Sequence, residues 1–330
     1  LSTPSAAVPH ESGRARLIEL IQARGALVVL AAAVLLSGLV FPSFLEAGNL
    51  ADIVTAASFL GIVAIGQTFV IIMGGFDLAV GSMVSVGTVL AAYAVPFGWG
   101  AALLVPSVAG LLVGLVDGLL IARARMAPFI VTLAALLALK GASVALAGES
   151  MVIAHAPVFG AIANGHLLGI NNLVLILLAA FALAALALNR TRFGAALFAI
   201  GGNEEAARML GIRVERIKIA TYATGGALAG LSGALLAAHL SSGLSGAGNG
   251  YELQSIAAAV IGGVLLTGGV GTMTGTLAGV LLLGLISNVI DHIGSLSAAY
   301  QSLASGLFLL VAVVIQSRLT RRRRGYGSRR

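Results

Sequence analysis

Residues 189–218 read NRTRFGAALFAIGGNEEAARMLGIRVERIK, a long polar island between two strongly apolar halves, and it holds six of the chain's Lys and Arg residues. Within it, Asn203-Glu204-Glu205-Ala206-Ala207-Arg208-Met209-Leu210-Gly211 has the marks of a complete short helix. Asn203 suits the N-cap, and Glu204 and Glu205 put negative charge at the positive end of the helix dipole. Gly211 suits the left-handed position that closes a helix. Two turns of helix are marginal in water, so this one needs a packing partner. It either folds back on its own chain or docks into another protein through Ala206, Met209 and Leu210. Docking is the reading adopted here.

The flanking halves set the class. The 330 residues are 59% hydrophobic and 9% charged, with a mean hydropathy of +1.05. Soluble domains carry roughly 25% charged residues, so the chain is an all-α polytopic membrane protein. Its 44 glycines fit close helix packing in a membrane. With no cysteine, disulfides and thiolate chemistry are excluded. The net charge of +7 does not indicate nucleic acid, because no basic patch is interleaved with stacking aromatics.

A spanning helix takes about 17–25 mainly apolar residues. Ten segments qualify: 25–41, 52–73, 80–95, 100–120, 127–147, 170–188, 217–239, 252–267, 270–289 and 299–316. Phe41-Pro42-Ser43-Phe44 does not resemble a signal-peptide cleavage site, so the first run is read as a span. Residues 1–24 then form an N-terminal cytoplasmic segment, 25–317 one transmembrane domain and 318–330 a basic cytoplasmic tail. With both termini inside, Arg14, Arg16, Arg24, Arg123, Arg125, the island's cations and the tail arginines all face the cytoplasm, as the positive-inside rule asks. The opposite loops carry no Lys or Arg. The tail, Arg321–Arg324 above all, is expected to rest on anionic membrane lipids. Gly74-Gly75-Phe76-Asp77 and Gly268-Gly269-Val270-Gly271 echo one another between corresponding spans, so a parallel internal repeat is expected.

Ionisable and amide groups at membrane depth are costly and mark function by default. Gln67, Asp77, Lys140 and Asn288 are the candidates for a translocation pathway. Each also has a structural reading. Asp77 caps the following helix, Lys140 snorkels or pairs with Glu149, and the two amides hydrogen-bond between helices. Asp117 is expected to pair with Arg123 or Arg125. No phosphate loop, nucleophile elbow or zinc helix motif occurs, and the histidines are not spaced for a metal. No enzyme, metal or bound cofactor is expected of this chain.

Several long segments together resemble one family. They are GGFDLAVGSMVSVGTVLAAY (74–93), APFIVTLAALLALKGASVAL (127–146), RTRFGAALFAIGGNEEAARMLGIRVERIK (190–218), GNGYELQSIAAAVIGGVLLTGGVGTMTGTLAGVLLLGLISNVI (248–290) and QSLASGLFLLVAVVIQ (301–316). The order and content are similar to the permease subunits of ribose-type ABC sugar importers. Residues 148–160 and 262–272 look more like the galactofuranose-importer branch. Ala195, Gln254 and Lys140 depart from residues common in the family.

The resemblance implies a bacterial inner-membrane subunit that forms half of a monosaccharide pathway with a second permease, identical or homologous. It implies two cytoplasmic ATPase subunits, which bind ATP-Mg, and a periplasmic or lipid-tethered sugar-binding protein. By the same likeness Gly201, Gly202, Asn203, Glu204, Glu205, Ala206, Ala207, Arg208, Met209, Leu210 and Gly211 correspond to the coupling helix that touches the ATPase. The alternative is an ion-coupled secondary transporter using Asp77 or Asp117.

Overall fold

The structure is a computed structural model, and it describes residues 13–148 and 150–293 together with positions 303, 306, 307 and 310. The last expected span, the basic tail and Glu149 therefore lie largely or wholly outside the described residues. Twelve α-helices follow one another among those described: α1 (Gly13–Val40), α2 (Ala47–Ile72), α3 (Ala79–Ala94), α4 (Trp99–Ala122), α5 (Pro128–Ala147), α6 (Pro157–Asn164), α7 (Asn172–Arg190), α8 (Arg192–Gly202), α9 (Glu204–Met209), α10 (Val214–Leu240), α11 (Tyr251–Ile261) and α12 (Met273–Ile293). Two minimal antiparallel pairings accompany them. Val152–Ile153 (β1) pairs with Ser242–Gly243 (β4), and His166–Leu167 (β2) pairs with Ile170–Asn171 (β3).

Among the described residues seven helices are long and apolar enough to cross a membrane: α2, α3 with its 3-10 extension to Phe97, α4, α5, α7, α10 and α12. Their boundaries have local causes. Pro128 opens α5, where a missing N–H costs nothing, and Gly148 closes it at φ +61°. Asn171 opens α7 by accepting the Leu173 N–H at 2.8 Å.

The first expected span, 25–41, coincides with the apolar part of α1, Gly25–Val40, which is too short to count among the seven. Another expected span differs from its observed helix. The eighth, read as 252–267, is an 11-residue helix that stops at Ile261. At about 1.5 Å per residue it reaches only about half of a 30 Å hydrocarbon layer. Gly263 at φ +92° turns the chain out of the helix, and residues 262–272 form an irregular segment before α12. Backbone of this kind is tolerated at membrane depth only where protein encloses it.

The bundle is built around α2 and α10. Every residue of α2 from Thr55 to Ile72 except Ala56 is buried. Its Gly66 lies against Gly225 of α10. Along α4, Gly110, Gly114 and Gly118 meet the α10 backbone at Gly226, Tyr222 and Ile219. Gly87 of α3 meets Gly230 and Gly233 on another side of α10. Lipid supplies no hydrophobic drive for helix pairing, so contact of backbone with backbone through small residues has to hold such helices together. This is where the chain's glycines are used.

Candidate functional site

The polar island folds into α8, a tight corner and α9. Thr191 caps α8 by accepting the Gly194 N–H at 3.3 Å, and Leu197 and Ile200 bury its apolar face. The sequence reading missed α8 as a helix, although Phe193, Leu197 and Ile200 recur at helical spacing. Asn203 caps α9 by accepting the Ala206 N–H at 2.9 Å, and Gly211 ends it at φ +81°. Glu204 receives Arg208 at 3.0 Å and Lys218 of α10 at 2.8 Å. Arg208 also lies 4.0 Å from Glu215. Partial burial pushes the Glu204 carboxyl up, but the hydrogen bonds and charge of Lys218 and Arg208 outweigh this and hold it below the usual carboxylate range.

The apolar trio expected on α9 does not act as one face. Met209 and Leu210 are each 80% exposed. Ala206 is half-buried, and it is Ala207 that is buried against the rest of the chain. Glu205 is exposed. The short helix is thus seated on its own chain by Ala207 and the Glu204–Lys218 pair, and it presents two large apolar side chains outward.

Behind the corner, three glycine turns meet. The Gly269 N–H donates to the carbonyl of Ile72, the last residue of α2, at 2.8 Å. A Cβ on Gly201 would collide with that carbonyl oxygen and with the Gly269 nitrogen. Gly268, at φ +84°, leaves 3.0 Å between such a Cβ and the Cα atoms of both Gly201 and Gly74. Gly202, one residue on, faces open space. The two turns that echo one another in sequence therefore both close on Gly201.

The four pathway candidates are not brought together. Asp77 is buried, accepts the Ala79 N–H at 2.9 Å and so caps α3. Lys140 is exposed on α5. Gln67 is fully buried in α2, and neither its amide oxygen nor its nitrogen has a hydrogen-bond partner among the described residues. Asn288 exchanges amide hydrogen bonds with Asn49 at 2.8 and 3.3 Å. Asp117 corrects the expectation of an ion pair. It is 4% exposed on α4, pairs with neither arginine among the described residues, and its Oδ2 has no partner there. Arg123 lies six residues on, about 240° around α4, and so does not share the face of Asp117.

Asn288 also lines a cavity of about 550 Å³ between the first turns of α2 and α11 and the last turns of α12, at the end of α2 remote from α9. Asp52, Asn249, Gln254, Ser287 and Asp291 share its wall. Sequence reading singled out Asn288 alone. The 284, 287, 288, 291 spacing places these positions on one face of α12, but without the partner helices that face does not declare itself.

A glycine-packed bundle in which seven described helices are long and apolar enough to cross a membrane is that of a polytopic membrane protein. Residues 49–313 match a family described as the branched-chain amino acid transport system permease component, and the chain belongs to that family. It is 35% identical to the ribose import permease protein RbsC of Bacillus subtilis, over 86% of this chain and 88% of that one. It is 38% identical to the inner membrane ABC transporter permease protein YjfF of Escherichia coli, over 85% and 87%. It is 33% identical to the L-arabinose ABC transporter permease protein AraH of Azospirillum brasilense, over 98% and 95%. No solved structure matches the chain. The protein is a multi-pass protein of the bacterial cytoplasmic membrane.

Proposed function

We propose that this chain is the membrane-spanning permease subunit of an ABC importer and forms half of the translocation pathway for a monosaccharide. The relatives are ribose and L-arabinose permeases by name, which supports a neutral sugar as cargo. Ten spans with both termini cytoplasmic would put α8, α9 and all the flanking arginines on the cytoplasmic side. There α9 is the coupling element. A partner ATPase, carrying ATP-Mg, receives Met209, Leu210 and Glu205, and a second permease completes the path. A sugar-binding protein delivers cargo at the opposite end.

The observation that carries this reading is the pair of exposed apolar side chains, Met209 and Leu210, at the C-terminal end of a six-residue helix fixed at both ends. A helix that short does not hold itself, and its bracing by Lys218 and Ala207 makes it a rigid handle. Closure of the ATPases would move that handle and bias the spans between outward- and inward-facing states. Family membership weighs against the ion-coupled alternative, and the cap from Asp77 to Ala79 gives that carboxylate a structural task. Purification from native membranes in mild detergent tests the reading. Recovery of a nucleotide-binding subunit, with ATP hydrolysis stimulated by a sugar-loaded binding protein, is expected. Purification of this chain without any nucleotide-binding partner would contradict it.

A further inference from the structure

The cavity at the end of the bundle remote from α9 has a definite chemistry. Among the described residues its wall holds the carboxylates of Asp52 and Asp291, the amides of Asn249, Gln254 and Asn288 and the hydroxyls of Ser287 and Tyr251, and no Lys or Arg. Asn249 and Gln254 hydrogen-bond to no other described side chain, so their amides remain open to a ligand. Asn288 is held in place by Asn49, whose own Nδ2 also donates to the Phe44 carbonyl at 2.9 Å. Carboxylates and amides together donate to and accept from hydroxyl groups, and the missing cations disfavour phosphorylated or acidic solutes. No group of three or more His, Asp or Glu side chains among the described residues is arranged for a metal ion. The volume falls within the range of small-molecule sites.

The same face of α2 continues inward. Asp52, Ala56 and Leu60 line the cavity, and at 100° per residue Val63 and Gln67 lie on that stripe. Gln67 sits two turns beyond Leu60, about 10 Å deeper. Leu60 and Val63 are buried between them, so the stripe is shut below the cavity. An amide with both atoms unsatisfied at full burial costs stability and calls for an explanation. A passing hydroxyl would satisfy it.

We propose that the cavity between α2, α11 and α12 is a holding site for a neutral polyhydroxyl solute, with Gln67 the next hydrogen-bonding station along α2. This rests on the reading of the chain as a sugar-importer permease and assigns that importer's cargo a place within each subunit. The chain contains no cysteine, so Ser287→Cys supplies a single thiol in the cavity wall and Met151→Cys an exposed one outside it.

The complete importer, with its ATPase and binding protein, is reconstituted in vesicles and assayed with the radiolabelled monosaccharide that the wild type takes up. Untreated Ser287→Cys, which gives up one wall hydroxyl, sets its own reference rate of uptake. After treatment with a bulky, membrane-impermeant thiol reagent it should lose uptake at least tenfold while keeping ATP hydrolysis within twofold. Excess of the same sugar should slow its modification at least threefold, and Met151→Cys should show neither effect. Gln67→Leu removes an unsatisfied amide at similar size, so a purely structural Gln67 predicts equal or higher thermal stability and unchanged uptake. The station predicts that stability together with at least a fivefold loss of uptake.

Uptake by modified Ser287→Cys at its untreated rate, or by Ser287→Trp at the wild-type rate if the thiol resists labelling, overturns the holding site. Wild-type uptake by Gln67→Leu overturns the station. A wild-type importer that takes up no monosaccharide overturns the parent reading instead.

Discussion

Glu204 joins three levels of the molecule. It follows the cap of α9, pairs with Arg208 one turn on, and reaches Lys218 on α10. Its carboxyl is held below the ordinary value of 4.5, so its contribution is fully present above that value. It is lost as pH falls below it through the lowered one. Amide protection of residues 204–209, corrected for intrinsic exchange, should be flat from about pH 8 to 6 and fall in the acid range. The pair is partly exposed, so the effect should be modest, about 0.2–1 kcal/mol. Asn203→Ala removes the cap and should cost α9 about 1 kcal/mol of local stability by the same measurement, with Asn203→Ser close to neutral. Glu205 is different, because it is exposed and forms no ion pair with a described residue. Glu205→Lys should cost α9 only the dipole term, about 0.3–1 kcal/mol, leave the fold of the chain intact and uncouple transport from ATP hydrolysis. Equal uptake per ATP in the variant would remove Glu205 from the coupling surface.

At the scale of elements, the corner at Gly201 shows what could be read from sequence and what could not. The cap, the acidic first turn and the closing glycine of α9 are local signals, and each is found where its chemistry put it. Long apolar runs likewise declared α2, α4, α5, α7, α10 and α12 with small boundary shifts. The shortness of α11 was not legible, since the apolar run continues past Ile261 through Val264-Leu265-Leu266. Gly263 in the left-handed region stops the helix, and Gly262 packs on Gly275 as the chain turns. The meeting of Gly74, Gly201 and Gly268 was equally hidden, because a glycine that serves close approach looks the same in sequence as one that serves a turn.

That corner gives a sharp comparison. Gly201→Ala places a methyl against the Ile72 carbonyl, whereas Gly202→Ala enters open space. We expect Gly201→Ala to reduce transport at least tenfold and Gly202→Ala to stay within twofold, measured as uptake by the reconstituted importer. Equal activity of the two would show that the junction yields freely. For the bundle itself, Gly114→Val drives a branched side chain into the α10 backbone at Tyr222, while Gly100 has nothing within 4 Å. Overpacking of that kind costs about 1–3 kcal/mol, so Gly114→Val should lower the unfolding temperature in detergent and Gly100→Ala should not.

At the scale of the whole molecule, the chain combines a glycine-packed core, a polar cavity at one end and a rigid protruding helix at the other. The cavity was only partly visible beforehand. Its wall is drawn from residues near 52, 250 and 288, and only the fold brings together side chains so far apart in sequence. The family and membrane class were legible throughout, because composition and long shared segments do not depend on which helices touch. On the proposed reading, work on the solute comes from a separate ATPase through α9. Vesicles carrying this polypeptide with its partner permease test that claim most directly. The account predicts no accumulation of monosaccharide under any proton or sodium gradient, and accumulation once the ATPase, ATP and a loaded binding protein are supplied. Uphill accumulation driven by an ion gradient alone would contradict it.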